Sequence, residues 1–377
     1  MASRELRVGI IGAGFMGRTH TFDYRNMGLF YDDHPPSIRL VGICDNDLAK
    51  AEKHRDEFGF QFATDRYQEL ISREDIDVID ICTPTRFHAE QILAALYGGK
   101  HLYVDKPLCM SADEAEEIVQ RAARTSTVKQ IAYHYRFYPG ALKTKMLIDA
   151  GFLGTPISLR VEYYHSSNLD PAKPMGWKQD KAMGGGGVLI EMACHALDLV
   201  YCFFGRYERV SMESVILYRE RPDASGKMQR VEGEDHVLLN VRMLNGMIGT
   251  IEVSKVAAGS NDDFNFAFYG SHGAVKYESM NPNFLSVYDA TQPSGPIGGT
   301  GGFQAIETVN KYPDAGSHFP GPRFGIGWLR GHVACHYNFV DCVLRGSPAT
   351  PSLSDGAYIQ KVIDRVYARA DDMRGLR

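Results

Sequence analysis

The stretch Arg7–Gly17, "RVGIIGAGFMG", decides how the first third of this chain folds. A β-prone run from Val8 to Ile11 ends at Gly12, and Gly12, Gly14 and Gly17 then stand at the spacing G-x-G-x-x-G. The spacing alone is common. It carries meaning when a strand enters it and a helix leaves it, as the run "FMGRTHTFDYRNM" predicts here. The first glycine permits the tight turn, the second lets backbone approach a pyrophosphate, and the third lets helix pack on strand. The helix N-terminus then faces the phosphates. Phe15 and Met16, inside the turn, join the three glycines as expected cofactor-binding residues.

Outward from that turn the same grammar repeats. "RLVGICD" reads as a strand and "NDLAKAEKHRDEFG" as a polar helix. "DVIDICTP" (77–84) is a strand, "RFHAEQILAALYGG" a helix, and "KHLYVDKP" (100–107) another strand. Strands alternating with helices predict parallel βαβ units, and apolar strands of this kind are buried on both faces. From about Ala132 the segments lengthen and alternate: "PISLRVEYYHSS", "VSMESVILYRE", "DHVLLNVRMLNGMIGTIEVSKVA" and "FNFAFYGSHGAVKYES". Asn245-Gly246 is a hairpin signal. The expected class is therefore α/β plus α+β. A doubly wound parallel Rossmann sheet occupies residues 1–134, and a large, mostly antiparallel open sheet backed by helices occupies 135–377. Residues from about Pro282 to Gly327 are rich in Gly and Pro and read as a long loop or lid. A last helix is expected over Asp355–Ala370.

A chain of 377 residues exceeds one ordinary core, in keeping with two domains. The net charge of -5 argues against nucleic acid or an anionic membrane as partner. No apolar stretch is read as a membrane span, and the N-terminus lacks the features of a signal peptide. The seven cysteines are scattered without a C-x-x-C pair, suggesting neither a zinc site nor a disulfide framework. A cytoplasmic protein without a resident metal is expected.

Three places carry chemistry. Asp45, at the end of the second strand, can accept hydrogen bonds from an adenosine ribose and repel a 2′-phosphate. No arginine follows it directly, which favours NAD over NADP; helix capping is the plainer role open to it. Asp105, Lys106 and Pro107 stand where a parallel strand ends, at the carboxyl edge where such sheets bind ligands, alongside Gly12, Asp45 and Thr83. Glu191, His195 and Asp198 fall at i, i+4 and i+7 of an apolar helix after four glycines. Three ionisable groups on one buried face need partners or a function.

Taken together, "GAGFMGRTH", "CTPTRFHAEQILAALYGGKHLYVDKPL", "YHYRFYP" and "GGGGVLIEMACHALDL" resemble the Gfo/Idh/MocA oxidoreductases (glucose-fructose oxidoreductase, inositol dehydrogenase and relatives) over nearly the whole chain. "GFMGRTH" and "GIGWLRGH" look most like the branch holding levoglucosan dehydrogenase and some inositol dehydrogenases. The family usually has Glu-Lys-Pro where this chain has Asp105-Lys106-Pro107, and Asp-x-x-x-His where it has Glu191 and His195. Both departures keep the charge and change its reach by one methylene. The resemblance implies that Lys106 and His195 are the catalytic pair with Glu191 as acidic companion. It also implies that His20, Thr83, Pro84 and His88 line the cofactor, and that Arg136, Trp177 and Lys178 lie near nicotinamide or substrate. The expected function is NAD-dependent oxidation of a secondary hydroxyl of a sugar, anhydrosugar or cyclitol to a ketone. The alternatives are an NAD-dependent glycoside hydrolase passing through a keto intermediate, an NADP-dependent keto-sugar reductase, or a non-catalytic NAD-responsive regulator. The second domain's sheet, with an apolar and aromatic outer face, is expected to form a homodimer or homotetramer.

Overall fold

The computed structural model describes residues 5–31, 36–293, 295–299, 301–308 and 327–374. Among them the chain divides into two compact units, one built from residues up to 137 together with 327–361, the other from 138–308 and 362–374.

In the first unit, β1 (Leu6–Ile11) leads through the Gly-rich turn into α1 (Phe15–Phe30). There follow β2 (Ile38–Cys44), α2 (Leu48–Phe58), β3 (Phe62–Thr64), α3 (Tyr67–Ser72), β4 (Val78–Ile81), α4 (His88–Tyr97), β5 (His101–Val104), α5 (Ala112–Ala122) and β6 (Lys129–Ile131). The six strands are all parallel, in the order β3-β2-β1-β4-β5-β6. The order reverses at β1, which makes the end of β1 the switch point of a doubly wound sheet. Val8, Ile10, Ile43, Val78 and Tyr103 form its core.

The second unit opens with α6 (Pro139–Asp149) and β7 (Pro156–Tyr164), followed by the short α7 (Lys181–Gly184). A π-helical turn, Leu189–Ala193, then runs into α8 (Cys194–Phe204). The remaining strands are β8 (Tyr207–Val215), β9 (Glu220–Pro222), β10 (Met228–Arg230), β11 (His236–Met243), β12 (Ile248–Ser254), β13 (Asp263–Gly270), β14 (Gly273–Glu278), β15 (Phe284–Asp289) and β16 (Gln304–Glu307). Eight of these strands make one sheet, β16-β15-β14-β13-β7-β12-β11-β8, antiparallel except for the parallel β12–β7 pair. Alternation does what the sequence requires of it. Leu159, Val161, Tyr163, Phe264, Phe266 and Phe268 point to one face. There Phe203 and Phe204 of α8 meet the phenylalanines edge-on at 4.9–6.0 Å.

Several expectations change. The outer face of this sheet is not apolar and aromatic in its middle: Arg160, Thr250, Asn240, Ala267 and Lys276 share one row across it, and Glu162, Glu252 and Asn265 the next. The segment read as a loop from Pro282 contributes β15 and β16, because the six-residue run "FLSVYD" finds a partner edge in β14. Residues 309–326 of that expected loop lie outside the described residues. The run Lys181–Phe204 is long and apolar enough to cross a membrane, contrary to the sequence reading, but 78% of its most apolar window is buried inside the unit.

The last two helices are α9 (Trp328–Arg345) and α10 (Leu353–Arg374). The single division expected between 134 and 135 does not describe this returning chain. Val333, Phe339 and Val340 of α9 join the core of the parallel sheet, and Gln130 of β6 donates to the Cys335 carbonyl at 2.8 Å. α9 is a wall of the first unit, supplied from the far end of the sequence.

Candidate active site

The turn after β1 is built by steric necessity. Gly12 has φ +110°, and a Cβ there would meet the Cys82 carbonyl at 2.7 Å. A Cβ on Gly17 would stand 1.9 Å from the Gly12 oxygen, so only glycine lets α1 close on the turn. A Cβ on Gly14 would meet nothing within 4 Å. Gly14 caps α1 with no side-chain hydrogen bond, and no acidic residue occupies the first turn. Open space in front of uncapped N–H groups at a 16-residue helix is what a pyrophosphate requires, and these residues fit a dinucleotide.

Asp45 is 8% exposed. Its Oδ2 accepts from the Ala13 N–H at 2.9 Å and from Lys50 Nζ at 2.7 Å, and Oδ1 accepts from the Asp47 N–H at 3.2 Å. The capping role left open for it belongs to Asp47, whose carboxylate accepts from the Lys50 N–H at the start of α2. Lys50 is a partner of Asp45 that no sequence pattern singles out. Asp45→Ala is therefore expected to narrow the preference for NAD over NADP, in kcat/KM, by one to two powers of ten. A hydrogen bond to a charged acceptor is worth about 1.5–3 kcal/mol, and the change also releases Lys50. A wild-type protein preferring NADP would sink this assignment.

Beyond β4 and β5, Thr83 donates from Oγ1 to Gln91 Oε1 at 2.6 Å. The buried His88 ties the two loops together, Nδ1 at 2.8 Å from the Pro107 carbonyl and Nε2 at 2.8 Å from that of Thr83. Thr83 and Pro84 thus stand beside Asp105–Pro107 at the carboxyl edge. The Lys106 N–H donates to Asp105 Oδ1 at 2.8 Å, which fixes the lysine's backbone while its side chain stays half-buried. Arg136, on the turn after β6, reaches Asp355 of α10 at 3.8 Å.

His20, expected to line the cofactor, is 0% exposed and holds Asp80 Oδ1 at 2.9 Å through Nδ1. His336 of α9 completes a buried square, 3.0 Å from Asp23 and 3.4 Å from Asp80. Burial alone would lower the His336 pKa, but Asp23 and Asp80 outweigh it and raise it to about 9. Burial likewise works against ionised Asp80, yet His20 and His336 hold its carboxyl well below the usual range. Burial pushes Asp23 up. His20, Asp80 and Cys82 are the one group of potential metal ligands among the described residues. Their donor atoms lie 2.9–3.2 Å apart, hydrogen-bond separations, whereas tetrahedral zinc would spread them to about 3.4–3.6 Å.

In the second unit Gly186 and Gly187 serve packing, while Gly185, at φ +86°, ends α7. A Cβ on Gly187 would stand 2.1 Å from the Glu234 carbonyl. The buried Glu234 carboxylate in turn accepts from the Leu189 N–H at 2.9 Å and from Tyr367 Oη at 2.9 Å, which anchors the entry to the π-turn. The sequence reading placed Glu191, His195 and Asp198 on one regular helical face. The π-turn interrupts that regularity at Glu191, a distortion frequent at functional sites. Lys178 Nζ lies 2.5 Å from Glu191 Oε1, and Lys255, just after β12, pairs with Oε2. Two of the predicted residues are thus brought together, and Lys255 was missed because nothing local to "VSKVA" links it to Glu191. His195 is 3% exposed, with the Tyr163 ring edge-on at 6.2 Å. Trp177 is 39% exposed, with the Lys178 ammonium 5.6 Å from its ring centre.

Two family descriptions match the chain: "Oxidoreductase family, NAD-binding Rossmann fold" over residues 6–133, and "GFO/IDH/MocA C-terminal domain" over 141–276. Levoglucosan dehydrogenase of Pseudarthrobacter phenanthrenivorans is 28% identical, across 97% of this chain and 96% of that one. The NAD-dependent scyllo-inositol 2-dehydrogenase of Bacillus subtilis is 24% identical across 78% of this chain and 80% of that one. The solved structure of a levoglucosan dehydrogenase in complex with NADH and levoglucosan superposes with a TM-score of 0.91, at 27% identity and 98% coverage of both chains.

Proposed function

We propose, because the chain belongs to the GFO/IDH/MocA oxidoreductase family and carries a turn shaped for a dinucleotide beside Lys106, that this NAD-dependent enzyme oxidises a secondary hydroxyl of an anhydrosugar or related cyclic polyol to the ketone. Residues up to 137 with the returning 327–361 hold NAD, and residues 138–308 and 362–374 supply further substrate contacts and self-association. The single observation that carries the cofactor reading is the open, uncapped start of α1 at Gly14. The substrate class rests on similarity over nearly full length to levoglucosan dehydrogenase.

The bound dinucleotide supplies a hydride acceptor. The residues of this chain must then bind the polyol and take the hydroxyl proton, since hydride cannot leave the carbinol carbon while that proton stays. We assign the proton to the pair Lys106 and His195. Imidazole has an intrinsic pKa near neutrality, and the ammonium stabilises the developing alkoxide electrostatically. Glu191, held between Lys178 and Lys255, orients polar groups at the substrate. Gly12, Gly14, Phe15, Met16, Gly17, Asp45, Thr83, Pro84, His88, Asp105, Lys106, Trp177 and Lys178 form the cofactor contacts, and Arg136 and Glu191 join Lys106 and His195 for substrate. We place the enzyme in the cytoplasm, where all seven cysteines stay free thiols as in the structure, and assign a homodimer or homotetramer to the outer face of the eight-stranded sheet, where Ile248, Tyr269 and Tyr288 stay exposed around the polar middle.

The test is a panel of anhydrosugars, monosaccharides and inositols with NAD, read by NADH absorbance. At least one member should yield stoichiometric NADH. Cleavage of nitrophenyl glycosides with catalytic NAD, while no polyol reduces it, would replace this reading with that of a glycoside hydrolase.

A further inference from the structure

One motif remains outside the function described above: "GIGWLRGH" (325–332), whose end opens α9. Trp328, His332 and His336 recur every fourth residue and so lie along one stripe of that helix. His336 reaches the buried aspartates. His332 is 1% exposed and stacks on His134 at 3.8 Å with 23° between rings. Trp328 lies 4.1 Å from His332 and 6.0 Å from Phe15. Phe15, the first residue of α1, is 73% exposed and leaves most of its ring uncovered beside Trp328.

The side of the sheet on which these rings stand sets their occupant. A dinucleotide straddles the switch point at β1, and its adenosine ribose goes to the carboxylate at the end of β2, here Asp45. The nicotinamide half must then lie over β4, β5 and β6. Trp328 stands on that side, 6.1 Å from His134 at the end of β6, and Phe15 stands at the switch point itself. Resting on the NAD reading above, we propose that Phe15 and Trp328 form an aromatic wall against which the nicotinamide half of the cofactor packs, making Trp328 a binding residue for the oxidised ring.

The chemistry fits. Oxidised nicotinamide is a cationic, electron-poor ring, and aromatic faces attract such rings by stacking and by cation–π attraction. Behind Trp328 stands a neutral imidazole, because burial and the nearby His134, His20, His336 and Lys106 lower the His332 pKa well below its ordinary value. The wall is thus backed by a group that does not repel the cationic ring.

The test compares dissociation constants of the full-length protein for NAD, NADH and ADP-ribose by calorimetry, with Trp328→Leu, Trp328→Phe and Phe15→Leu. Trp328→Leu should weaken NAD about 2–10-fold, NADH less, and ADP-ribose (which lacks nicotinamide) not at all, while Trp328→Phe retains most of the affinity. Phe15→Leu, at an exposed position where the fold is not at risk, should show the same pattern more weakly. Equal weakening of NAD and ADP-ribose, or undiminished NAD affinity in both leucine variants, would overturn the wall. Failure of the wild-type protein to bind either NAD or ADP-ribose is a different outcome: it overturns the cofactor reading, and the wall with it.

Discussion

Lys106→Met should lower kcat by about 10²–10⁴ while weakening NAD far less, the loss in turnover being typical when one electrostatic or acid–base group at a reacting oxygen is removed. Methionine keeps most of the stem and removes only the ammonium. The backbone around it is pinned independently of that group, by Asp105 at the Lys106 N–H and by His88 at the Pro107 carbonyl. The pyrophosphate turn and Asp45 stand on other strands, so among the cofactor contacts only that of the Lys106 ammonium is lost. His195→Asn should show a comparable loss. If the two act as a unit, the double variant falls far short of the product of the single losses. Turnover and NAD affinity measured on all three variants decide the matter. Near-normal turnover by Lys106→Met would mean that "VDKP" is only a strand end.

The second large effect is on stability. Asp80→Asn keeps the shape of the side chain and removes the charge between His20 and His336, both fully buried. Breaking a buried ion pair from one side costs about 3–5 kcal/mol; here His20 loses its carboxylate and Asp23 alone is left to face His336. The urea midpoint should drop accordingly, whereas a change at an exposed pair such as Arg55–Asp56 should move it little. The pH dependence has a definite sign. The folded His336 pKa of about 9 lies above the ordinary 6.5, held up by Asp23 of α1 and Asp80 of β4 against burial. Its contribution is therefore complete below about pH 6.5 and is lost as pH rises through about 9. Thermal midpoints from pH 6 to 10 should fall over that window in the wild type, and the fall should shrink in His336→Gln. An unchanged pH profile in that variant would remove His336 from the account.

How much of this was legible in the sequence depends on the range of the interaction. The βα repeats of the parallel sheet were readable because periodicity is local: Val8–Ile11, "RLVGICD" and "DVIDICTP" each show it within one window. β3 escaped, since three residues carry no period. The π-turn at Glu191 escaped because it is set by Glu234 and Tyr367, 43 and 176 residues away by their numbers. The family motifs pointed to Lys106, His195 and Glu191, yet Lys50 and Lys255 are joined to their carboxylates only by folding. His20 shows the converse. The family motif puts it at the cofactor, but helix phase turns it inward onto Asp80.

The return of α9 to the parallel sheet has a consequence for how the chain is made. When residue 137 has left the ribosome, the face of the nucleotide-binding unit that Val333, Phe339 and Val340 will cover is still bare, and Asp23 and Asp80 still lack His336. From 137 to 327 is 327 − 137 = 190 residues, which at ~5–20 residues per second means about 10–40 s of synthesis before the missing wall begins to appear. Over that interval the nascent sheet carries an exposed apolar face and two carboxylates without their cation. That is the kind of surface to which chaperones bind, and a gene cut after residue 134 would produce it permanently.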